Sequence, residues 1–214
     1  MTLILKMKRT NILFGRTTLK KIALCILATF ALFSFRASAM DASSAEAFVK
    51  KVTTEGIEQI VNSDVSMAEK DARFEKLFNE YLDLDYIGKF VLGRYWKTAS
   101  AKQQADFIDV YRAFNIKTWS KRFDEFKGKS FKFVGTSPSS SEGQIFVNTT
   151  VDMGEGAPAK VVWRVKDGKP LKIVDIIIEN VSLAVTARNE YTAYIKQAPN
   201  GVDDLIKNLK ERSR

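Results

Sequence analysis

Four carboxylates carry spacings that acid–base chemistry could use: Asp83 with Asp85, and Asp175 with Glu179. Paired carboxylates act as general acid and base, or as acid and nucleophile, on either side of a scissile bond. Neither pair has that geometry. Asp83 and Asp85 stand where helix caps belong. Asp175 and Glu179 fall on one face of a strand, roughly 13 Å apart along it, too far for a glycosidase pair. The 214 residues contain no histidine and one cysteine, Cys25. That removes the Ser-His and Cys-His nucleophile pairs and the usual zinc ligands. Gly154-Glu155-Gly156 is a turn without the following helix of a nucleotide site. The chain reads as a protein with no catalytic residue, no metal and no cofactor.

What the chain offers instead is apolar surface. Residues 83–96, DLDYIGKFVLGRYW, set Leu84, Tyr86, Ile87, Phe90, Val91, Leu92, Tyr95 and Trp96 among only four charges. A surface helix keeps its apolar residues to one stripe. Here they point nearly all round, so the segment must be covered, either by protein core or in part by a bound apolar ligand.

The elements around it begin with a secretory leader, expected at 1–39, followed by a single domain at 40–214. Lys6, Lys8, Arg9, Arg16, Lys20 and Lys21 form a basic stretch without an acid, residues 22–35 are the apolar region, and Ala37-Ser38-Ala39 is a small-x-small cleavage pattern. The apolar region is short for a membrane span, which needs about twenty residues. The leader holds seven of the 34 basic residues and none of the 25 acidic ones, so a net charge of +9 falls to +2 without it. The basic balance therefore points to no nucleic-acid partner. Cys25 lies inside the leader, so residues 40–214 hold together by burial without a disulfide.

Periodicity predicts a helix at 45–62, with Ser43 or Ser44 as its cap, and a second at 66–81. The apolar helix follows, capped by Asp83 or Asp85 and ended at Gly93. Ser100 and Gln103 form a capping box for the longest helix, about 100–126, with Gly128 as its end. Four strands are expected at 131–135, 143–152, 159–166 and 171–179, the last two joined by a hairpin at Asp167-Gly168. Connections this short imply an antiparallel meander. Alternation places Ile145, Val147, Thr149 and Val151 on one face, with Val161, Trp163 and Val165 matching them on the next strand. Helices return at 182–197 and 202–211. The expected architecture is α+β, with helices packed on one face of a twisted four-stranded antiparallel sheet enclosing an apolar pocket.

The apolar segment resembles the LDYI…FVLGRYW signature of the MlaC-type family, also called toluene-tolerance auxiliary proteins. Residues 161–182, VVWRV, a turn and then DIIIENVS, are similar to that family's later signature. With the helical tail, the resemblance spans nearly all of the chain after residue 40. Asn180 stands where the later signature has glycine, and asparagine also tolerates a left-handed backbone. Pro170-Leu171 stand where the family often opens its last strand with tryptophan.

The resemblance implies a monomeric periplasmic carrier that binds phospholipid as the soluble component of an ABC-transporter system. It would pass lipid between an outer-membrane lipoprotein complex and the inner-membrane substrate-binding ring of the transporter. It also implies a pocket between the LDYI…GRYW helix, the long helix and the inner sheet face. The lining residues carried over are Phe90, Val91, Tyr95, Trp96, Phe107, Phe114, Val147, Val151, Val161, Trp163 and Ile176. Arg94, Lys97 and Arg164 would meet the phosphate at the mouth, where a guanidinium can fork onto it. A hopanoid or other polycyclic lipid is the alternative cargo. Two other classes stand beside the carrier. An enzyme on a cone-shaped α+β fold commonly uses a buried Asp-His pair, which this chain lacks. A non-catalytic envelope interaction module predicts a solid core with no apolar cavity.

Overall fold

A computed structural model describes residues 41–154 and 156–214. The leader expected at 1–39, with Cys25 inside it, lies outside the described residues. The first helix, α1 (Ala42–Thr54), starts at Asp41 rather than at either serine, because the Asp41 carboxylate accepts the N–H groups of both Ser43 and Ser44. The helix expected to run to residue 62 loosens at Glu55 into π-helical turns, Glu55–Val61, and Asn62 N–H reaches back five residues to Ile57 O at 2.8 Å. Gly56 weakens α-helical winding at that point. The wider turn brings Gly56, Ile57, Ile60 and Val61 to one side.

Local caps set the next helices. Ser66 accepts Glu69 N–H at the start of α2 (Met67–Tyr81), and Asp83 accepts Tyr86 N–H at the start of α3 (Leu84–Leu92). α3 ends at Gly93, whose φ of 55° favours glycine, and an added Cβ would meet the Arg188 guanidinium at 3.1 Å. A short α4 (Arg94–Thr98) leads to α5 (Ala101–Ser120), which opens with the Ser100–Gln103 capping box. α5 stops six residues earlier than the apolar pattern predicts. Three-residue hydrogen bonds, from Arg122 to Trp119 and from Glu125 to Arg122, wind the chain tightly into a 3-10 turn, Phe123–Phe126. That turn lays Phe126 against Ile60 and Val61.

The sheet is the expected antiparallel meander, in order β1 (Phe131–Pro138), β2 (Gln144–Val151), β3 (Ala159–Lys166), β4 (Lys172–Ile178) and β5 (Val181–Ser182). The two-residue β5 is the strand added to the four predicted. It pairs with one half of β4, and Leu82 bridges to Ile173 on the other half. The β3–β4 connection runs from Asp167 to Leu171 and includes the cis Lys169–Pro170 bond, longer than a two-residue hairpin. Asn180 is left-handed, φ 67°, as asparagine permits. Ser182 caps α6 (Leu183–Gln197), and α7 (Val202–Arg212) follows.

Two main cores result. One is purely helical: Ile87, Val91 and Leu92 of α3 meet Phe107 and Tyr111 of α5, Tyr191 and Ile195 of α6, and Leu205 and Leu209 of α7. Gly88 lets α3 press against α5, since a Cβ there would stand 2.1 Å from Ile108 Cδ1. The other core joins Ala45, Val49 and Val52 of α1 to the inner sheet face, with Val147, Val151, Val161, Trp163, Val165 and Ile173.

Candidate functional site

Between the second core and the π-helical turns lies a cavity of about 190 Å³. The end of α1 and the π turns supply Val52, Thr53, Gly56, Ile57, Ile60 and Val61. Phe74, Leu77 and Phe78 come from α2, with Leu82 just after it, while Trp119 and Phe126 close the far side. The sheet floor is Phe131, Val161, Trp163, Ile173, Ile176 and Ile178. Polar atoms near this wall are engaged within the protein. Thr53 Oγ1 donates to Val49 O at 3.0 Å, and Trp163 Nε1 donates to Thr149 Oγ1 at 3.0 Å. Thr149 Oγ1 in turn donates to Val161 O at 2.7 Å. The indole is therefore satisfied sideways, and Phe131 packs edge-on against it at 5.6 Å between centroids. Such a space suits hydrocarbon and makes no demand for a polar partner.

Three of the residues carried over in the sequence analysis stand on this wall: Val161, Trp163 and Ile176. Val147 and Val151 share the sheet face, but α1 lies directly on them and leaves them 0 % and 2 % exposed. Phe90, Val91, Tyr95, Trp96, Phe107 and Phe114 belong to the helical core. The covering that the LDYI…GRYW helix requires is there supplied by α5 and α6. Phe107 is fully buried and meets Tyr191 edge-on at 6.1 Å, while Phe90 lies under the Arg188 guanidinium at 4.9 Å. The three cations also stand off the cavity wall. Arg94 lies over the Tyr95 ring at 5.2 Å and Lys97 is exposed. Arg164 sits on the outer sheet face, 3.7 Å from Asp175 and 5.2 Å from the Phe146 ring centre.

The carboxylate pairs have structural roles. Asp175 is buried and accepts Ser182 Oγ–H at 2.6 Å and Ala184 N–H at 3.1 Å, fixing the start of α6. Glu179 accepts Lys160 N–H beyond the strand end. Asp83 caps α3 and pairs with Lys166 at 2.8 Å, while Asp85 is exposed. Among the described residues no cluster of three or more His, Cys, Asp or Glu could hold a metal ion.

Six wall residues fall inside helices that periodicity predicts, Ile57, Ile60 and Val61 in the first and Phe74, Leu77 and Phe78 in the second, where they read as ordinary apolar helix positions. Core and cavity wall share one composition. The signal that separates them is Gly56, a poor helix former beside the Ile57–Val61 apolar run, where α-helical winding gives way.

The family model described as MlaC protein matches residues 50–211. Among solved structures, the phospholipid-binding protein from Ralstonia solanacearum, determined in complex with a phospholipid, superposes with a TM-score of 0.69. It is 22 % identical, over 79 % of this chain and 96 % of that one, a likeness that speaks for the fold. Among the described residues no helix is long and apolar enough to cross a membrane.

Proposed function

The chain belongs to the MlaC family, and from that premise we propose that it is a periplasmic phospholipid carrier whose cavity between α1, the π turns and the sheet takes the acyl chains. The observation that carries the reading is the cavity itself, apolar on every wall and bounded by four separate parts of the fold. Each methylene removed from water is worth about 0.8 kcal/mol, so a two-chain lipid of about thirty methylenes gains more than ~20 kcal/mol from cover. Generic apolar contact supplies that cover and also permits release, because no headgroup hydrogen bond must be broken. No chemical step is required.

At about 190 Å³ the cavity lies below the ~300–1,000 Å³ of a drug-sized ligand site. Loading therefore parts its walls. The π turns and the 3-10 turn are the wall pieces least held by regular helical bonding. With residues 1–39 removed on export, the carrier would work as the soluble component of an ABC-transporter system, between an outer-membrane lipoprotein complex and an inner-membrane substrate-binding ring.

The test is native and then denaturing mass spectrometry of protein purified from cells expressing residues 1–214. A glycerophospholipid at about one per chain supports the reading. A polycyclic lipid keeps the carrier and changes the cargo. Protein that carries no lipid and takes none up from added phospholipid overturns it.

A further inference from the structure

Tyrosine and tryptophan aside, the buried polar side chains among the described residues are Thr53, Ser120, Thr149 and Asp175. Thr53 and Ser120 donate to carbonyls of their own helices, and Asp175 fixes the start of α6. Thr149 alone of the four bonds a side chain of the cavity wall. It is 1 % exposed on the inner face of β2, in a row with Ile145, Val147 and Val151. Valine would fill that place with the same shape, and a buried hydroxyl is costly there unless it is hydrogen-bonded. Its proton goes to Val161 O, and its lone pair takes Trp163 Nε1–H. Register makes the two residues diagonal neighbours on adjacent strands, with Val147 opposite Trp163 and Thr149 opposite Val161.

Trp163 is the largest side chain of the sheet floor. Ile176 stands opposite it on β4, and Phe131 meets it edge-on, the two rings at 70°. An indole in an apolar wall needs a partner for its N–H, and Thr149 Oγ1 is that partner. The hydrogen bond fixes the ring's rotation, while Phe131 limits its sideways movement. The floor belongs to the sheet, the wall that stays in place when the π turns and the 3-10 turn part. A length limit needs a wall of that kind, because a yielding one would accommodate any chain.

We propose that Thr149 is a positioning residue whose hydroxyl holds the Trp163 indole as the fixed floor of the cavity, and that the ring so held limits how long an acyl chain the protein accepts. The inference rests on the carrier reading above. A chain that outruns the floor leaves methylenes in water, and each is disfavoured by about 0.8 kcal/mol, or about fourfold. Without the Thr149 hydroxyl the indole N–H is left unsatisfied among apolar neighbours, so the ring turns to find another partner and the limit blurs.

The test compares, by mass spectrometry, the acyl chains of co-purified phospholipid with those in the total lipid extract of the same cells. The parent is expected to be depleted in the longest chains, by about fourfold for each methylene beyond its limit. Thr149→Val keeps the shape and removes the acceptor, and its bound chains are expected to approach the profile of the extract. Thr149→Ser keeps the hydroxyl and is expected to match the parent. Trp163→Phe, with a smaller ring and no indole N–H, is expected to admit longer chains, and adding Thr149→Val to it should change the profile no further. Indole N–H resonances report the bond itself. Of the three tryptophans, only Trp163 should shift in Thr149→Val, and it should hold its place in Thr149→Ser. A parent profile equal to the extract overturns the proposal, as does a parent-like profile in Thr149→Val or a valine-like profile in Thr149→Ser. Should Thr149→Val fail to fold, Trp163→Phe decides, since parent-like discrimination without the indole also overturns it. Protein with no lipid in its mass spectrum fails the carrier reading itself, whereas lipid-loaded protein that shows no selection fails this inference alone.

Discussion

Ile176 and Phe107 are both apolar, and the fold puts them to different uses. Ile176 is half-buried on the floor of the cavity, whereas Phe107 is fully buried beside Tyr111 and Tyr191. Ile176→Trp adds an indole to a space of about 190 Å³. It is expected to remove co-purifying lipid while circular dichroism stays native, and wild-type lipid content would place the acyl site elsewhere. Phe107→Ala is expected to cost about 3–5 kcal/mol in denaturant unfolding and to leave lipid per folded chain unchanged. The tyrosines of the helical core give a pH test. Burial pushes the phenols of Tyr111 and Tyr191 well above the ordinary 10.0, with the Asp175 charge adding to the rise at Tyr111. The folded state then keeps protons that the unfolded chain gives up near pH 10, so stability is complete below that pH and falls as pH rises through it. Unfolding midpoints should drop between about pH 9 and pH 11, and Tyr111→Phe with Tyr191→Phe should flatten the drop.

Asp83 shows how one side chain fixes an element. Its carboxylate caps α3 at Tyr86 N–H and reaches Lys166 on β3, tying the helix to the sheet. Burial works to raise its pKa, but the Lys166 ammonium and the Tyr86 N–H outweigh that and hold it below the usual carboxylate range. Its contribution is therefore present above the unfolded pKa of about 3.9 and is lost as pH falls further. Asp83→Ala should cost about 1–2 kcal/mol near neutral pH, and a loss within error of zero would deny the cap its role. Asp83 and the Ser100–Gln103 capping box were readable because such caps are local and act within one turn, whereas Ser66 and Ser182 stood in the sequence reading only as helix starts. The strand faces were readable for a similar reason, since alternation fixes Val147, Trp163 and Val165 whatever packs on them. The early stop of α5 and the π winding after Thr54 were not, because both depend on how Phe126, Ile60 and Val61 meet across the fold. The cavity shares that origin. Gly56 tests it directly: a Cβ there would meet Leu77 Cδ1 at an ordinary 3.8 Å. Gly56→Ala should bind lipid normally and gain up to about 1 kcal/mol of stability, whereas Gly56→Phe should fill the cavity from the helix side and exclude lipid. Lipid bound to the phenylalanine variant at the parent's level would remove the π turns from the site.

Across the whole molecule, the division into two cores separates the part that must stay fixed from the part that must give. α3, α5 and α7 interlock through Val91, Leu92, Phe107, Leu205 and Leu209, all of them at most 1 % exposed, with Tyr191 and Ile195 of α6 packed among them. Close-packed interiors of that kind do not deform continuously. The cavity wall instead combines the end of α1, π turns and a 3-10 turn, joined through a small cluster of Ile60, Val61 and their neighbours. An acyl chain that enters must therefore move α1 and the turns against the sheet and leave the helical core in place. Lipid bound only by the folded state also stabilises it, by about 2.7 kcal/mol when lipid stands at a hundred times its dissociation constant. Hydrogen exchange compared between lipid-loaded protein and protein stripped with detergent should then show a lower global stability in the stripped form. Beyond that uniform change, added exchange should concentrate in residues 55–61 and 123–126. Added exchange centred on α3 and α5 would mean that the helical core, and the LDYI…GRYW segment within it, opens to admit the lipid, and would move the binding site there.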